Sequence, residues 1–310
     1  MLNATINNYQ ILSELGQGGM ATVYLAEHVL LHKRVAFKVL NDEFVRNKNI
    51  RARFLKEARD MAKMSHPNVV KVTDLIDAGD IVGIVMEYIE GESLKEHLER
   101  KTRLNHVEIK SIFSQMLDAL DYVHKQNLVH RDIKPSNFMI NAEGQVKLMD
   151  FGIAKSLEAG VSEFTQTGTG AQMGTPMYMS PEQVKDSKEV GPASDIYAMG
   201  VVLWQMVSGK RPYDGNSLST IEIQIKILQE PLSPTHTIWD SLIAKATQKE
   251  AAQRYAHATE FKQALERIYA SAPLGGSEKT VLEHATPSKV KTAGNNDKSE
   301  SENNFDPVSS

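Results

Sequence analysis

An α+β fold in two lobes is what this sequence predicts, and three observations predict it. Short β-branched runs with turn-forming flanks crowd residues 9–86, an apolar spacing of three and four residues dominates after residue 91, and no repeat of solenoid period is present. Strands first and helices later place a small β-rich lobe ahead of a larger helical one. The 310 residues, 41% apolar and 24% charged, suffice to bury a full-sized core. A formal net charge of -4 supplies no basic excess, so nucleic acid and anionic membrane are not expected partners. The longest apolar stretches, 81–86 and 198–207, are too short for a bilayer, so no membrane span is expected. Met1 is followed by neither a basic nor an apolar leader region, which makes the cytoplasm the expected compartment. Without cysteine the chain has no disulfide, no thiolate nucleophile and no Cys-ligated metal.

In chain order, residues 1–8 form an extension, and strands are predicted at 21–26, 35–40, 69–74 and 81–87. One helix interrupts them over 51–65, where Phe54, Ala58, Met61 and Ala62 recur on one face. A linker at 87–91 leads to the helical part at 92–270. There Ile112, Phe113, Met116, Leu117, Leu120 and Val123 form an amphipathic stripe, and 196–207 is apolar nearly all round, as a buried central helix would be. Half of residues 271–310 are Ser, Thr, Gly, Pro or Asn, and that composition predicts a disordered polar tail.

Three segments carry chemistry. Leu15, Gly16, Gln17, Gly18, Gly19, Met20, Ala21, Thr22 and Val23 join two strand-like runs, with glycines that let backbone N–H groups approach a phosphate chain. Ala21 occupies the third position of G-x-G-x-x-G, and no crossover helix follows, which disfavours a dinucleotide fold; a plain hairpin turn is the alternative. In the strand 35–40, alternation puts Ala36 and Lys38 on one face. Lys38 is either an edge-strand charge or a phosphate ligand. Glu57 falls on the apolar stripe of its helix, where a carboxylate either reaches solvent at the margin or meets a cation, and Lys38 is the candidate. The third segment is His130-Arg131-Asp132-Ile133-Lys134-Pro135-Ser136-Asn137, followed by Asp150-Phe151-Gly152 after a strand-like 146–149. Each of these short words by itself also reads as a turn aspartate or a helix cap, and it is their joint order and spacing that is specific.

In order and spacing these segments resemble the protein kinase superfamily, in particular bacterial members of the eukaryotic-type (Hanks-type) Ser/Thr kinases. The resemblance runs over about 9–270 and implies the bilobal kinase fold, with an N-lobe at 9–86, a hinge at 87–91 and a C-lobe at 92–270. It implies ATP and Mg2+ as cofactors and proteins bearing Ser or Thr as substrates. Asp132 would accept the substrate hydroxyl's hydrogen, Lys134 would contact the transferring phosphate, and Lys38, paired with Glu57, would hold ATP. Asn137 and Asp150 would hold the metal, and Val23, Ala36, Met86 and Met139 would wall the adenine pocket. Ser180-Pro181-Glu182 resembles the end of the activation segment, with Ser180 in place of the usual Ala and Glu182 paired with Arg254. Asp195 is either an N-cap or, by resemblance, a tether for the 130–132 backbone. Thr167 and Thr169 are the expected phosphosites, modified within a transient homodimer, while Thr175 stays unmodified. The alternative is a pseudokinase acting as a nucleotide-binding scaffold; the presence of Lys38, Asp132 and Asp150 speaks against it.

Overall fold

Antiparallel strands open the chain: β1 (Thr5–Ile6), β2 (Tyr9–Gln17), β3 (Ala21–His28) and β4 (Lys33–Leu40). After α1 (Asp42–Val45) and α2 (Lys48–Ala62), β5 (Val72–Ala78) and β6 (Ile81–Glu87) complete a six-stranded sheet in the order β1-β2-β3-β4-β6-β5. The computed structural model describes residues 1–101, 103–150, 176–185, 190–213 and 218–272. The expected phosphosites Thr167 and Thr169, together with Phe151, Gly152, Thr175 and the tail from residue 273 onward, lie outside the described residues.

Two elements differ from expectation. The strand expected at 69–74 runs from Val72 to Ala78, because Val69 and Val70 leave the sheet. Val69 bridges Leu148 in parallel, and the Val70 N–H donates to the Leu148 carbonyl at 3.0 Å. The helix expected at 51–65 begins at Lys48, since the Asn47 side chain accepts from the Asn49 and Ile50 amides and so starts it earlier. Its buried face is Ile50, Phe54, Leu55, Ala58 and Met61, whereas Ala62 is exposed.

Alternation along β4 gives the sheet two apolar faces. Ala36 and Leu40 join the main core with α2, while Val35, Phe37 and Val39 join Ile11, Ala26 and Val85 on the opposite face. A second sheet, β7 (Gly91–Ser93), β8 (Phe138–Asn141) and β9 (Val146–Leu148), follows. Around it lie α3 (Leu94–Lys101), α4 (His106–Lys125), α5 (Pro181–Lys185), α6 (Pro192–Ser208), α7 (Thr220–Gln229), α8 (Asp240–Ala246) and α9 (Ala258–Ser271). A reciprocal Asn105–Glu108 capping box starts α4, and Gly209, at φ 69°, ends α6 in the left-handed conformation. Nearly every residue of α6 is buried, which explains its unbroken apolar sequence. Among the described residues no helix is long and apolar enough to cross a membrane.

Candidate active site

The glycine segment forms the β2–β3 turn. Gly16 stands opposite Val23 and Gln17 opposite Thr22, and the Gly18 N–H closes the turn on the Ala21 carbonyl at 2.9 Å. Leu15 at its base is exposed, whereas Met20 and Val23 pack on the main core. Behind them Ala36 on β4 is directly opposite Met86 on β6, and both are buried; Met139 on β8 joins the same apolar cluster. The structure thus gathers Val23, Ala36, Met86 and Met139 from four strands.

Lys38 stands opposite Val23 across β3 and β4. Its ammonium lies 2.6 Å from Asp150 Oδ1, and that is its ion pair among the described residues. The expected Lys38–Glu57 pair is therefore replaced by Lys38–Asp150. Coulomb attraction falls with distance, so the carboxylate in contact takes the charge. Glu57 instead lines a cavity of about 380 Å3 between α2 and residues 127–131, together with Arg53, Lys56 and Arg131. Burial alone would raise the Asp150 carboxyl, but the Lys38 ammonium beside it prevails and holds it below the usual carboxylate range.

The segment 130–137 is positioned from below by Asp195 in α6. Its Oδ2 accepts from the His130 N–H at 2.8 Å and from His124 Nε2 at 2.9 Å, and its Oδ1 accepts from the Arg131 N–H at 2.8 Å. Because α6 begins at Pro192, Asp195 sits inside the helix and caps nothing, so the tether reading holds. Arg131 is fixed at φ 65° and Asp150 at φ 42°, both in the left-handed region. His130, fully buried, joins the two carboxylate-bearing stretches. Its Nε2 donates to the Met149 carbonyl at 2.9 Å, so its Nδ1 is the acceptor for the Asp132 N–H at 3.3 Å. Burial lowers the pKa of this imidazole, consistent with a neutral ring.

Asp132 emerges beside a 3-10 turn, Pro135–Asn137, that folds its neighbours back onto it. Asn137 Nδ2 donates to the Asp132 carbonyl at 2.7 Å and to its Oδ2 at 3.2 Å, while Lys134 Nζ lies 2.7 Å from the same Oδ2. The Asn137 carbonyl accepts the Met149 N–H at 2.8 Å, which sets Asn137 next to the residue preceding Asp150. Among the described residues no three His, Cys, Asp or Glu side chains converge as a preformed metal cage. The side-chain oxygens of Asn137 and Asp150 form a smaller hard donor set, which fits a divalent cation that arrives bound to a polyphosphate.

Sequence reasoning gave no role to His124, Gln183 or Lys147. Gln183 Nε2 donates to the Arg131 carbonyl at 2.9 Å, and Lys147 lies 2.7 Å from Glu87 at the end of β6. Gln183 carried a readable signal: Ser180 and Gln183 have capping-box spacing, and each side chain bonds the other's backbone N–H at the start of α5. Glu182 and Arg254 meet as expected, through two hydrogen bonds of 2.7 and 2.8 Å.

A family model described as "Protein kinase domain" matches residues 9–272. The chain is 36% identical over 290 residues to the serine/threonine-protein kinase PrkC of Bacillus subtilis (strain 168), covering 91% of this chain and 44% of that protein. It is 34% identical over 277 residues to the serine/threonine-protein kinase PknB of Mycobacterium leprae (strain TN), covering 86% and 44%. The chain thus spans less than half the length of these relatives. A crystal structure of the M. tuberculosis PknI kinase domain superposes with a TM-score of 0.67 at 24% identity, over 87% of this chain and 99% of that one, and shows the shared fold.

Proposed function

The chain belongs to the protein kinase family, and from that premise we propose that it is an ATP-dependent serine/threonine protein kinase, transferring the γ-phosphate to Ser and Thr hydroxyls of proteins. The observation that carries this reading is the convergence of Asp132, Lys134 and Asn137 on one turn braced against Asp150, with Lys38 in contact with Asp150. The names of the relatives support serine and threonine as acceptors.

In this reading the Asp132 carboxylate, oriented by Asn137, accepts the proton of the substrate hydroxyl as that oxygen attacks the γ-phosphorus. The new O–P bond forms as the bond to the β–γ bridging oxygen breaks, and ADP leaves. Lys134, already at Asp132 Oδ2, offers its ammonium to the phosphoryl oxygens as negative charge builds there. Lys38 exchanges its Asp150 contact for nucleotide phosphate oxygens, and the β2–β3 turn covers them. Asn137 and Asp150 would hold Mg2+, whose charge neutralises the polyphosphate. Val23, Ala36, Met86 and Met139 take the adenine ring.

Activation by phosphorylation is part of the same proposal. Arg131 lines the cavity with Arg53 and Lys56, three cations against the carboxylates of Glu57 and Asp60, and its guanidinium is the group we propose to meet a phosphothreonine dianion. We assign Thr167 and Thr169 as the phosphosites, modified by a second copy in a transient homodimer. We propose a cytoplasmic location, where ATP is available as the phosphate donor.

Incubation of the full chain with radiolabelled ATP, Mg2+ and a generic basic protein tests the assignment. Turnover of roughly 1–100 per second is expected after activation. Lys38→Ala and Asp132→Asn should abolish transfer while the far-ultraviolet spectrum stays native. Undiminished incorporation in either folded variant refutes the assignment.

A further inference from the structure

Asparagine is among the best residues for starting a helix, because its side-chain oxygen accepts an amide of the first turn. Asn41 stands at the N-cap of α1 and makes no such bond. Its side chain serves the glycine turn instead. Asn41 Oδ1 accepts from Thr22 Oγ1 at 3.0 Å, and its Nδ2 donates to the carbonyls of Gly19 at 3.3 Å and Gly18 at 3.5 Å. Its backbone N–H donates to the Met20 carbonyl at 2.9 Å. The α1 terminus makes do with Asp42 and Glu43 in its first turn, which complement its dipole.

Besides Asn41, the turn is held by its own Gly18–Ala21 backbone bond, by the β2–β3 ladder and by Met20 on the core. A Cβ built at Gly16 or at Gly19 would meet nothing within 4 Å, so neither position is fixed by packing. Loop placement then rests on hydrogen bonds, and Asn41 makes bonds to Gly18, Gly19, Met20 and Thr22. It immediately follows β4, three residues after Lys38. One strand end thereby sets both the lysine and the roof of the nucleotide site at a fixed offset.

We infer that Asn41 is a positioning residue for the nucleotide, clamping the glycine turn over the phosphates at the cost of capping its own helix. The inference rests on the kinase reading. Its test uses Asn41→Ala, Asn41→Ser and Thr22→Val in the full chain, with KM for ATP, kcat, KM for the protein acceptor, thermal melting and direct binding of ATP by calorimetry. Serine caps helices about as well as asparagine but is too short to reach Gly18 and Gly19. Both Asn41 variants should raise KM and Kd for ATP about tenfold, and Thr22→Val should raise them less, with acceptor KM and melting unchanged. Wild-type nucleotide affinity in Asn41→Ser, or in Asn41→Ala, overturns the inference and leaves the kinase reading standing. A wild-type chain that binds ATP but transfers no phosphate overturns the kinase reading, while the calorimetric comparison still decides the clamp.

Discussion

Replacing either member of the Glu182–Arg254 pair should cost more than any single surface ion pair can. The Arg254 side chain is 0% exposed and that of Glu182 14% exposed, so water cannot replace a lost partner. All five guanidinium hydrogens are placed: Nη1 and Nη2 each donate to a Glu182 oxygen, and the remaining three go to the carbonyls of Ala193, Gln248 and Lys249 at 2.8–3.0 Å. Ser194 Oγ adds a third donor to Glu182 at 2.6 Å. Glu182→Gln leaves a buried guanidinium without its counter-charge, and Arg254→Ala strands a carboxylate and three carbonyls. Breaking a buried pair from one side costs about 3–5 kcal/mol.

A second route gives a similar figure. Burial would push the Glu182 carboxyl up, but the Arg254 and Ser194 hydrogen bonds prevail and hold its pKa at about 2 rather than 4.5. At 1.36 kcal/mol per unit that difference is about 3 kcal/mol. Because the folded pKa is depressed, this stability is fully present above pH 4.5 and is lost as pH falls toward 2. Thermal melts of both variants at pH 7 should fall by roughly 6–20 °C, and the wild-type advantage over Glu182→Gln should shrink between pH 4.5 and pH 2. Melting within about 2 °C of wild type in both variants would refute the reasoning and leave the pair worth no more than an exposed contact.

Asp195→Asn replaces one acceptor oxygen with an amide facing a backbone or imidazole donor, and should cost about 1–3 kcal/mol and lower kcat more than it raises KM for ATP, read by melting and steady-state kinetics. Trp239→Ala empties a fully buried site whose indole donates to His106 Nδ1 at 2.9 Å, and chemical denaturation should show a loss of about 3–5 kcal/mol. Gly91→Ala places a Cβ against the Ile140 carbonyl, so β7 must part from β8; melting should drop, and amide exchange at residues 91–93 and 139–141 should speed up.

The residues of the 130–137 segment were legible because they are contiguous and their chemistry is explicit in their types. Buried helix α6 was legible for a similar reason, since its apolar run admits one environment. What escaped depended on partners distant in sequence. Val69 and Val70 read as strand residues and do pair, but with Leu148 rather than with the main sheet. Lys38 meets Asp150, a residue 112 positions away in sequence, and a contact over that separation has no local signature. The early start of α2 was readable in principle at Asn47, and the capping box at Ser180 and Gln183 likewise; in both places a polar residue at a helix entrance was passed over in favour of apolar spacing.

Arg131 and Asp150, on either side of the His130 bridge, both carry side chains in a backbone region that costs an L-residue about 1–2 kcal/mol. Glycine would relieve that strain at either position and would delete the guanidinium or the carboxylate in doing so. Selection for thermal resistance and selection for turnover therefore pull against each other at these two positions. Surrounding bonds from Asp195, Gln183 and His130 keep the unfavourable backbone in place. A thermostable descendant of this chain that keeps its chemistry will carry its gains elsewhere, in caps and cores, and will leave this strained pair as it stands.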